Sequence, residues 1–504
     1  MTASFVAALC LELDKQNPLP LFRQLYAGLR EAILTGRLEG GTRLPPTRIL
    51  AQELHISRNT VVNAFEQLIA EGYLEGKIGA GTYVAHVLPE EILQVKTRIS
   101  ASSISPGKQE QSISRWGEAL AGKEIRSVRY GDDVRAFQPG MPAIDQFPYG
   151  LWSKLAANVW RAPEPQLLAY GDAQGYRPLR ESIASYLKAT RGMKCEPEQV
   201  IITTGTQQAL DLATRVILDP EDTACIEDPG YIGARVALGG AGVKIIPIAV
   251  DQDGLDVEAL KAHRQNIRLV YVTPSHQYPV GVTMSLGRRL ALLEWAARTG
   301  AWILEDDYDS EYRYEGRPLA ALQGLDQAGC VLYMGTFSKV LLPALRLGYL
   351  VAPPALVETF VRGRAAIDRQ APTIEQVILT EFINEGHFAR HIRRMKGIYM
   401  ERQATLVEAA RQKLAGLLDI QPAAAGLHVM GWLPTGVDDQ RVFRQAQEQG
   451  VDAPPLSAYA INAQSRSGLV LGYACVSPQA IRVGVEGLAV ALESVHRMPA
   501  KRSK

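Results

Sequence analysis

Val331-Leu332-Tyr333-Met334-Gly335-Thr336-Phe337-Ser338-Lys339 begins as an apolar, strand-forming run and ends in two hydroxyls and a lysine. A strand with buried side chains that then releases a lysine leaves the amine partly desolvated. Desolvation lowers its pKa and makes it a competent Schiff-base amine. A lone lysine at a strand end is more often a snorkelling surface residue. This one is followed by Pro343-Ala344-Leu345-Arg346-Leu347-Gly348-Tyr349, so Thr336, Ser338 and Arg346 add hydroxyls and a guanidinium fork suited to a phosphate.

Working outward, short β-rich apolar runs alternate with helical periodicity from about Arg135 to the C-terminus. That alternation marks βαβ units and a mainly parallel sheet, and ligands of such sheets gather where the strands end. Three more strand ends carry chemistry. Val200-Ile201-Ile202-Thr203-Thr204-Gly205-Thr206-Gln207 runs a strand through a small polar turn into a helix, whose first N–H groups suit a phosphate. Trp302-Ile303-Leu304-Glu305-Asp306-Asp307-Tyr308 stacks acids at the end of an apolar strand, which is costly unless a cation meets them. A pyridinium nitrogen, a metal ion and helix capping are three accounts of those acids, and no metal-ligand cluster accompanies them. Glu227-Asp228-Pro229-Gly230-Tyr231 ends a strand with a ring that either packs internally or stacks on a planar cofactor. His387 and His391 sit four apart among Arg390, Arg393 and Arg394; without a third ligand they read as part of an arginine-rich surface helix, and no metal is expected.

The first 85 residues have another texture. Phe22, Leu25, Tyr26, Leu29 and Ile33 make one helical stripe closed by Gly36, and Pro45-Pro46 opens a short second helix. Ser57 is an N-cap for a third helix with Val61, Phe65, Leu68 and Ile69 facing inward and Arg58, Asn59, Thr60 and Asn63 on the opposite face. Tyr73-Leu74-Glu75-Gly76 and Thr82-Tyr83-Val84 form a hairpin through Lys77-Ile78-Gly79-Ala80-Gly81. Three helices and a glycine-tipped hairpin make a winged helix, whose third helix reads the major groove. Residues 1–85 hold eight Lys plus Arg and eight Asp plus Glu, so the head lacks a basic footprint as a whole. Arg43, Arg48, Arg58 and Lys77 nevertheless flank the reading face.

Bulk composition fits two or three globular units in 504 residues, and a formal net charge of +1 points to no particular partner. Five cysteines without C-x-x-C spacing read as reduced thiols of a cytosolic protein. No apolar run approaches the ~20 residues that span a bilayer, and no leader pattern opens the chain. The expectation is a cytoplasmic chain with no membrane segment, divided into a head at 15–85, a flexible linker at 86–134 and a body at 135–504.

Leu44-Pro45-Pro46-Thr47-Arg48, Ser57-Arg58-Asn59-Thr60-Val61, Glu71-Gly72-Tyr73 and Gly79-Ala80-Gly81-Thr82-Tyr83-Val84 together resemble the GntR-type winged helix. That resemblance implies DNA contact from Arg48, Arg58, Asn59 and Thr60, with Gly79 in the wing tip; Arg43, Thr47, Ser57, Asn63 and Lys77 complete the candidate surface. The strand-end motifs of the body resemble the fold-type-I aminotransferases: a large subdomain with a mainly parallel sheet and a smaller α+β C-terminal subdomain. The cofactor implied is pyridoxal 5′-phosphate. By this resemblance Lys339 is the Schiff-base lysine, Asp306 the partner of the pyridine nitrogen, Tyr308 the donor to the ring hydroxyl and Tyr231 the stacking ring. Gly205, Thr206, Gln207, Thr336, Ser338 and Arg346 form the phosphate cup. Tyr170 resembles a tyrosine that reaches a neighbouring subunit's phosphate, which implies a dimer.

The chain departs from that pattern twice. Ser275-His276-Gln277-Tyr278-Pro279-Val280-Gly281 replaces Asn-Pro-Thr-Gly, leaving His276 as the candidate ring contact. Leu469-Val470-Leu471-Gly472-Tyr473-Ala474 lacks the usual carboxylate-binding arginine, leaving Arg466 and Arg482 as candidates for an effector's carboxylate. A GntR-type head, a linker and an aminotransferase-like body are the layout of the MocR (GabR-like) regulators. The resemblance implies a homodimer with exchanged heads that binds promoter DNA and senses the cofactor itself or an amine or amino-acid effector. The rival reading is an active aminotransferase with an accessory DNA-binding head.

Overall fold

The computed structural model describes residues 13–77, 81–86, 112–114, 116–118, 135–316, 319–462, 464 and 466–497. The chain divides into two compact units, residues 1–112 and 113–504. Most of the expected linker, Cys10 and Gly79 lie outside the described residues.

In the first unit, helices Leu21–Leu34, Thr47–Glu53 and Arg58–Ala70 precede strands β1 (Leu74–Lys77) and β2 (Gly81–Val84), which pair antiparallel with Leu74 opposite Val84. The third helix starts where a short side chain can hold its open N–H groups: Ser57 Oγ accepts from the Thr60 backbone N–H at 3.1 Å. Val61, Ala64, Phe65 and Leu68 face the core against Leu25, Leu29 and Leu50. Ile69 is a correction: it is 41% exposed and lies off this stripe. Eight residues after Val61, at roughly 100° each, a side chain has turned about 80° away from the buried line.

The second unit centres on an eight-stranded sheet of order β3-β10-β9-β8-β7-β4-β5-β6. Its strands are β3 (Val200–Thr203), β4 (Thr223–Asp228), β5 (Lys244–Asp251), β6 (Gly254–Leu255), β7 (Ile267–Val272), β8 (Trp302–Asp307), β9 (Val331–Thr336) and β10 (Gly348–Val351). The run β9-β8-β7-β4-β5 is parallel, and β10 lies antiparallel between β3 and β9. The C-terminal ends of β3, β4, β7, β8 and β9 therefore share one edge. Their side chains are buried on both faces, as helix-covered parallel strands require. A smaller sheet of β11 (Asp419–Ile420), β12 (His428–Trp432) and β13 (Gly468–Gly472) packs with the long helices His387–Lys413 and Pro478–Arg497. Among the described residues no helix is long and apolar enough to cross a membrane, and Cys195, Cys225, Cys330 and Cys475 are free and buried.

Candidate functional site

The acids at the end of β8 meet three different sets of partners, and Asp306 and Asp307 each keep one buried oxygen without any. Glu305 accepts the backbone N–H groups of Leu322 and Gln323 at 2.9 and 3.0 Å. Asp307 forms a buried ion pair with Arg191 at 2.7 Å and accepts from the Tyr333 hydroxyl at 2.7 Å. Asp306 accepts the Tyr271 hydroxyl on Oδ2 at 2.7 Å, while its Oδ1 is buried with no hydrogen-bond partner. Burial pushes the Asp306 carboxyl up to about 7, against the pull of the Tyr271 hydrogen bond. An unpartnered buried carboxylate oxygen is a receptor for a donor or cation that arrives from outside the chain.

Lys339 follows β9, the neighbour of β8, and its Nζ donates to the Gly140 carbonyl at 2.7 Å. Burial lowers its pKa, while Asp309 and Asp306 act in the opposite direction. Thr336 Oγ1 accepts the Ser338 N–H at 3.1 Å, and Ser338 Oγ is buried without a partner. Gly205 opens the helix Thr206–Ile217 at φ +120°, and a Cβ there would stand 3.4 Å from Arg346 Nη2. Only glycine holds that backbone comfortably, and the guanidinium thus lies beside a helix N-terminus, where an anion is favoured. Tyr231 closes β4's turn and donates from its hydroxyl to Gln207 Oε1 at 3.3 Å.

His276 Nδ1 lies 3.0 Å from Asp309 Oδ2 and 3.0 Å from the Tyr308 hydroxyl, and both His276 and Asp309 are buried. A carboxylate only accepts. With Nδ1–H as the donor to Asp309 Oδ2, the Tyr308 O–H is left to donate elsewhere. His276 thus contacts Tyr308. His428 completes a buried trio with His276 and Asp309 whose ligand atoms lie within 4.8 Å of one another. A cation could use such spacing, but hydrogen bonds already engage each member: His276 with Asp309 at 3.0 Å, and His428 Nε2 with the Pro279 carbonyl at 2.9 Å.

The strand-end motifs thus bring Lys339, Asp306, Tyr308, Tyr231, Ser338, Thr336, Gly205 and Arg346 to one edge of the sheet. Other candidates stay apart. Tyr170 is 81% exposed, with Arg369 over its ring at 4.9 Å. Arg466 stacks on Trp432 and pairs with Asp419 at 3.5 Å, in a cleft that it shares with Arg411. Arg482 is exposed on the last helix. His391 is buried and donates from Nε2 to the Val340 carbonyl at 3.0 Å, so its helix is a surface element only on its outer face. Sequence reasoning missed Tyr271 and Asp309, which orient Asp306 and His276, and Tyr278, whose ring meets Tyr308 edge-on at 5.8 Å. Tyr278 stands inside the departure at 275–281; an aromatic ring in place of a small polar motif was the available signal.

On the head, Arg43, Arg48, Ser57, Arg58, Asn59 and Asn63 are exposed and Thr47 and Thr60 half-buried. Arg58 Nε donates to Thr47 Oγ1 at 3.3 Å, which ties the second helix to the start of the third. Lys77 lies over the Tyr83 ring at 5.2 Å.

The pattern of the bacterial regulatory proteins of the gntR family matches residues 21–84, and that of the class I and II aminotransferases matches residues 151–488. The chain is 42% identical over 98% of both lengths to the probable rhizopine catabolism regulatory protein MocR of Rhizobium meliloti. It is 29% identical to the pyridoxine biosynthesis transcriptional regulator PdxR of Corynebacterium glutamicum, across 93% of this chain and 95% of that one. The solved structure of the α-aminoadipate aminotransferase LysN of Thermus thermophilus, complexed with N-(5′-phosphopyridoxyl)-L-leucine, superposes with a TM-score of 0.70. It is 29% identical and covers 76% of this chain and 98% of that one.

Proposed function

The chain belongs to the MocR-type regulators, a gntR-type head joined to a class I and II aminotransferase domain, and from that premise we propose that its body senses pyridoxal 5′-phosphate, or an amine bound through it, and thereby alters the head's grip on promoter DNA. The observation that carries this reading is the free Oδ1 of Asp306 on the strand beside the one that leads to Lys339. A ring nitrogen held protonated is the donor this oxygen lacks. Bound pyridoxal 5′-phosphate supplies an aldehyde that bonds reversibly to a primary amine and a ring that draws electrons from it. Asp306 would hold a proton on the ring nitrogen, and Tyr308, positioned by His276, would donate to the ring hydroxyl. Arg346, Ser338, Thr336 and the turn of Gly205, Thr206 and Gln207 take the phosphate. Tyr231 covers a ring face. Lys339 would be the protein's own amine for that aldehyde, and an effector's primary amine would compete with it.

The head carries the readout. Arg58, Asn59, Thr60 and Asn63 face base edges in the major groove, while Arg43, Thr47, Arg48, Ser57, Lys77 and the wing with Gly79 meet phosphates. Two copies assemble, with heads exchanged over neighbouring bodies: Tyr149, Trp160, Leu168 and Tyr170 are each more than half exposed within one short segment, an apolar surface that a second copy covers. The protein works in the cytoplasm, where DNA and cofactor are both present. For a signal to pass, the cofactor or its amine adduct must favour one body conformation over another. Spectral titration of the purified protein with pyridoxal 5′-phosphate tests the reading; a visible band that Lys339→Ala removes supports it, and a protein that takes up no cofactor contradicts it. The paired lysine and acid also suit a true aminotransferase, which would exchange amino groups at metabolic rates and ignore promoter DNA.

A further inference from the structure

The surroundings of Lys339 have two unlike sides. One is the anion-binding side with Arg346, Ser338 and the helix start at Thr206. The other belongs to the small sheet. Gly472 of β13 presses on the chain before Lys339's partner: a Cβ at Gly472 would stand 2.2 Å from the Gln138 carbonyl oxygen, and two residues later the Gly140 carbonyl accepts Lys339 Nζ. Alternation along β13 puts Val470 on the same face as Gly472. Val470 is fully buried in a cluster with Met430, Leu456 and Tyr459, against which Ile232 and Tyr278 pack. Tyr278 joins this cluster to the cofactor side, with its ring 5.8 Å from Tyr308 and 6.0 Å from Tyr231, and its hydroxyl donates to that of Tyr459 at 3.3 Å. Beyond Tyr308 lie phenols and hydrocarbon.

The charges follow the same division. Three act on the Lys339 ammonium: Asp309 and Asp306 favour it, and Arg346 opposes it. Arg346 belongs to the phosphate side. Three arginines of this unit are committed elsewhere: Arg191 to Asp307 and Ser275, Arg402 to the Ala474 carbonyl and Asp145, and Arg235 to the Ala460 carbonyl. A carboxylate placed beside Asp306 and Asp309 would have two carboxylates for neighbours, an arrangement that recognition sites avoid.

Resting on the reading given under Proposed function, we propose that the effector is a primary amine that carries no carboxylate, its remaining groups neutral and either hydroxylated or apolar. The phenol and hydrocarbon wall at Val470 selects that body, and the two acids near Lys339 select against an anion.

The test loads the full-length protein with pyridoxal 5′-phosphate and follows the visible band during titration with matched pairs: ethanolamine against L-serine, and isopentylamine against L-leucine. Each amine is expected to reach half-saturation at a concentration at least about tenfold below that of its amino acid. Val470→Arg, which places a guanidinium in the apolar wall, is expected to narrow or reverse the preference. Should that variant fail to fold, the wild-type comparison decides alone. A loaded protein whose band responds equally or better to the amino acids, or to neither amine, overturns this inference and leaves the functional reading standing. A protein that takes up no cofactor overturns both.

Discussion

In the head, the candidate contacts Ser57, Arg58, Asn59 and Asn63 stand exposed around a single helix start. In the body, Glu227, Asp306, Asp309 and His276 are buried, and burial pushes both Glu227 and Asp306 up to about 7. A surface that reads DNA must keep its donors solvated and reachable until the partner arrives. A site for a small cofactor gains strength by keeping water out and accepts the cost of buried charge in return. The same chain therefore places function at both extremes of exposure, and substitutions in the two regions should fail in different ways.

Lys339→Ala should have the largest effect. The visible band of the loaded protein disappears while binding of promoter DNA by the cofactor-free protein persists; a surviving band assigns the linkage to another lysine. Arg58→Ala breaks the comparison from the other side. Promoter binding should weaken by about 1–3 kcal/mol, roughly five- to 150-fold, with the cofactor band unchanged. An unaltered footprint would remove Arg58 from the reading surface.

Asp306→Asn sharpens the contrast through pH. The Asp306 carboxyl titrates higher in the folded chain than in the unfolded one, so the stability it contributes is full below its unfolded pKa of about 4 and is lost as pH rises to about 7. In the cofactor-free protein, Asp306→Asn should therefore raise stability by about 1–3 kcal/mol at pH 8 and give no gain at pH 4, measured as denaturant midpoints. A gain that does not vary with pH would mean that packing, rather than buried charge, sets the cost. The smallest effect is expected from Ser57→Ala, which removes the side-chain acceptor for the Thr60 N–H and should cost the head about 1 kcal/mol in thermal melting. A head that melts unchanged would show that the cap contributes nothing.

The parts legible in the sequence were those with a local cause. Ser57 as a cap, the hairpin register around Leu74 and Val84, and the strands ending at Asp306 and Thr336 all follow from short-range patterns. What was not legible depends on residues far apart in the chain. That Arg191 pairs with Asp307 Oδ2 while Asp306 meets only the Tyr271 hydroxyl is settled by contacts between residues far apart in the chain. The approach of His276 to Asp309, and of Gly472 to Gln138, is of the same kind. Ile69 shows the converse limit: a helical stripe read one turn too far places an exposed residue in the core.

The central claim is that occupancy of the body is felt by the head. Promoter affinity, measured at fixed salt for the protein with and without pyridoxal 5′-phosphate, tests it most directly. The account predicts a change of about 5- to 150-fold, the usual range of coupling between sites, and one that Lys339→Ala removes. Equal affinity in the two states would contradict it.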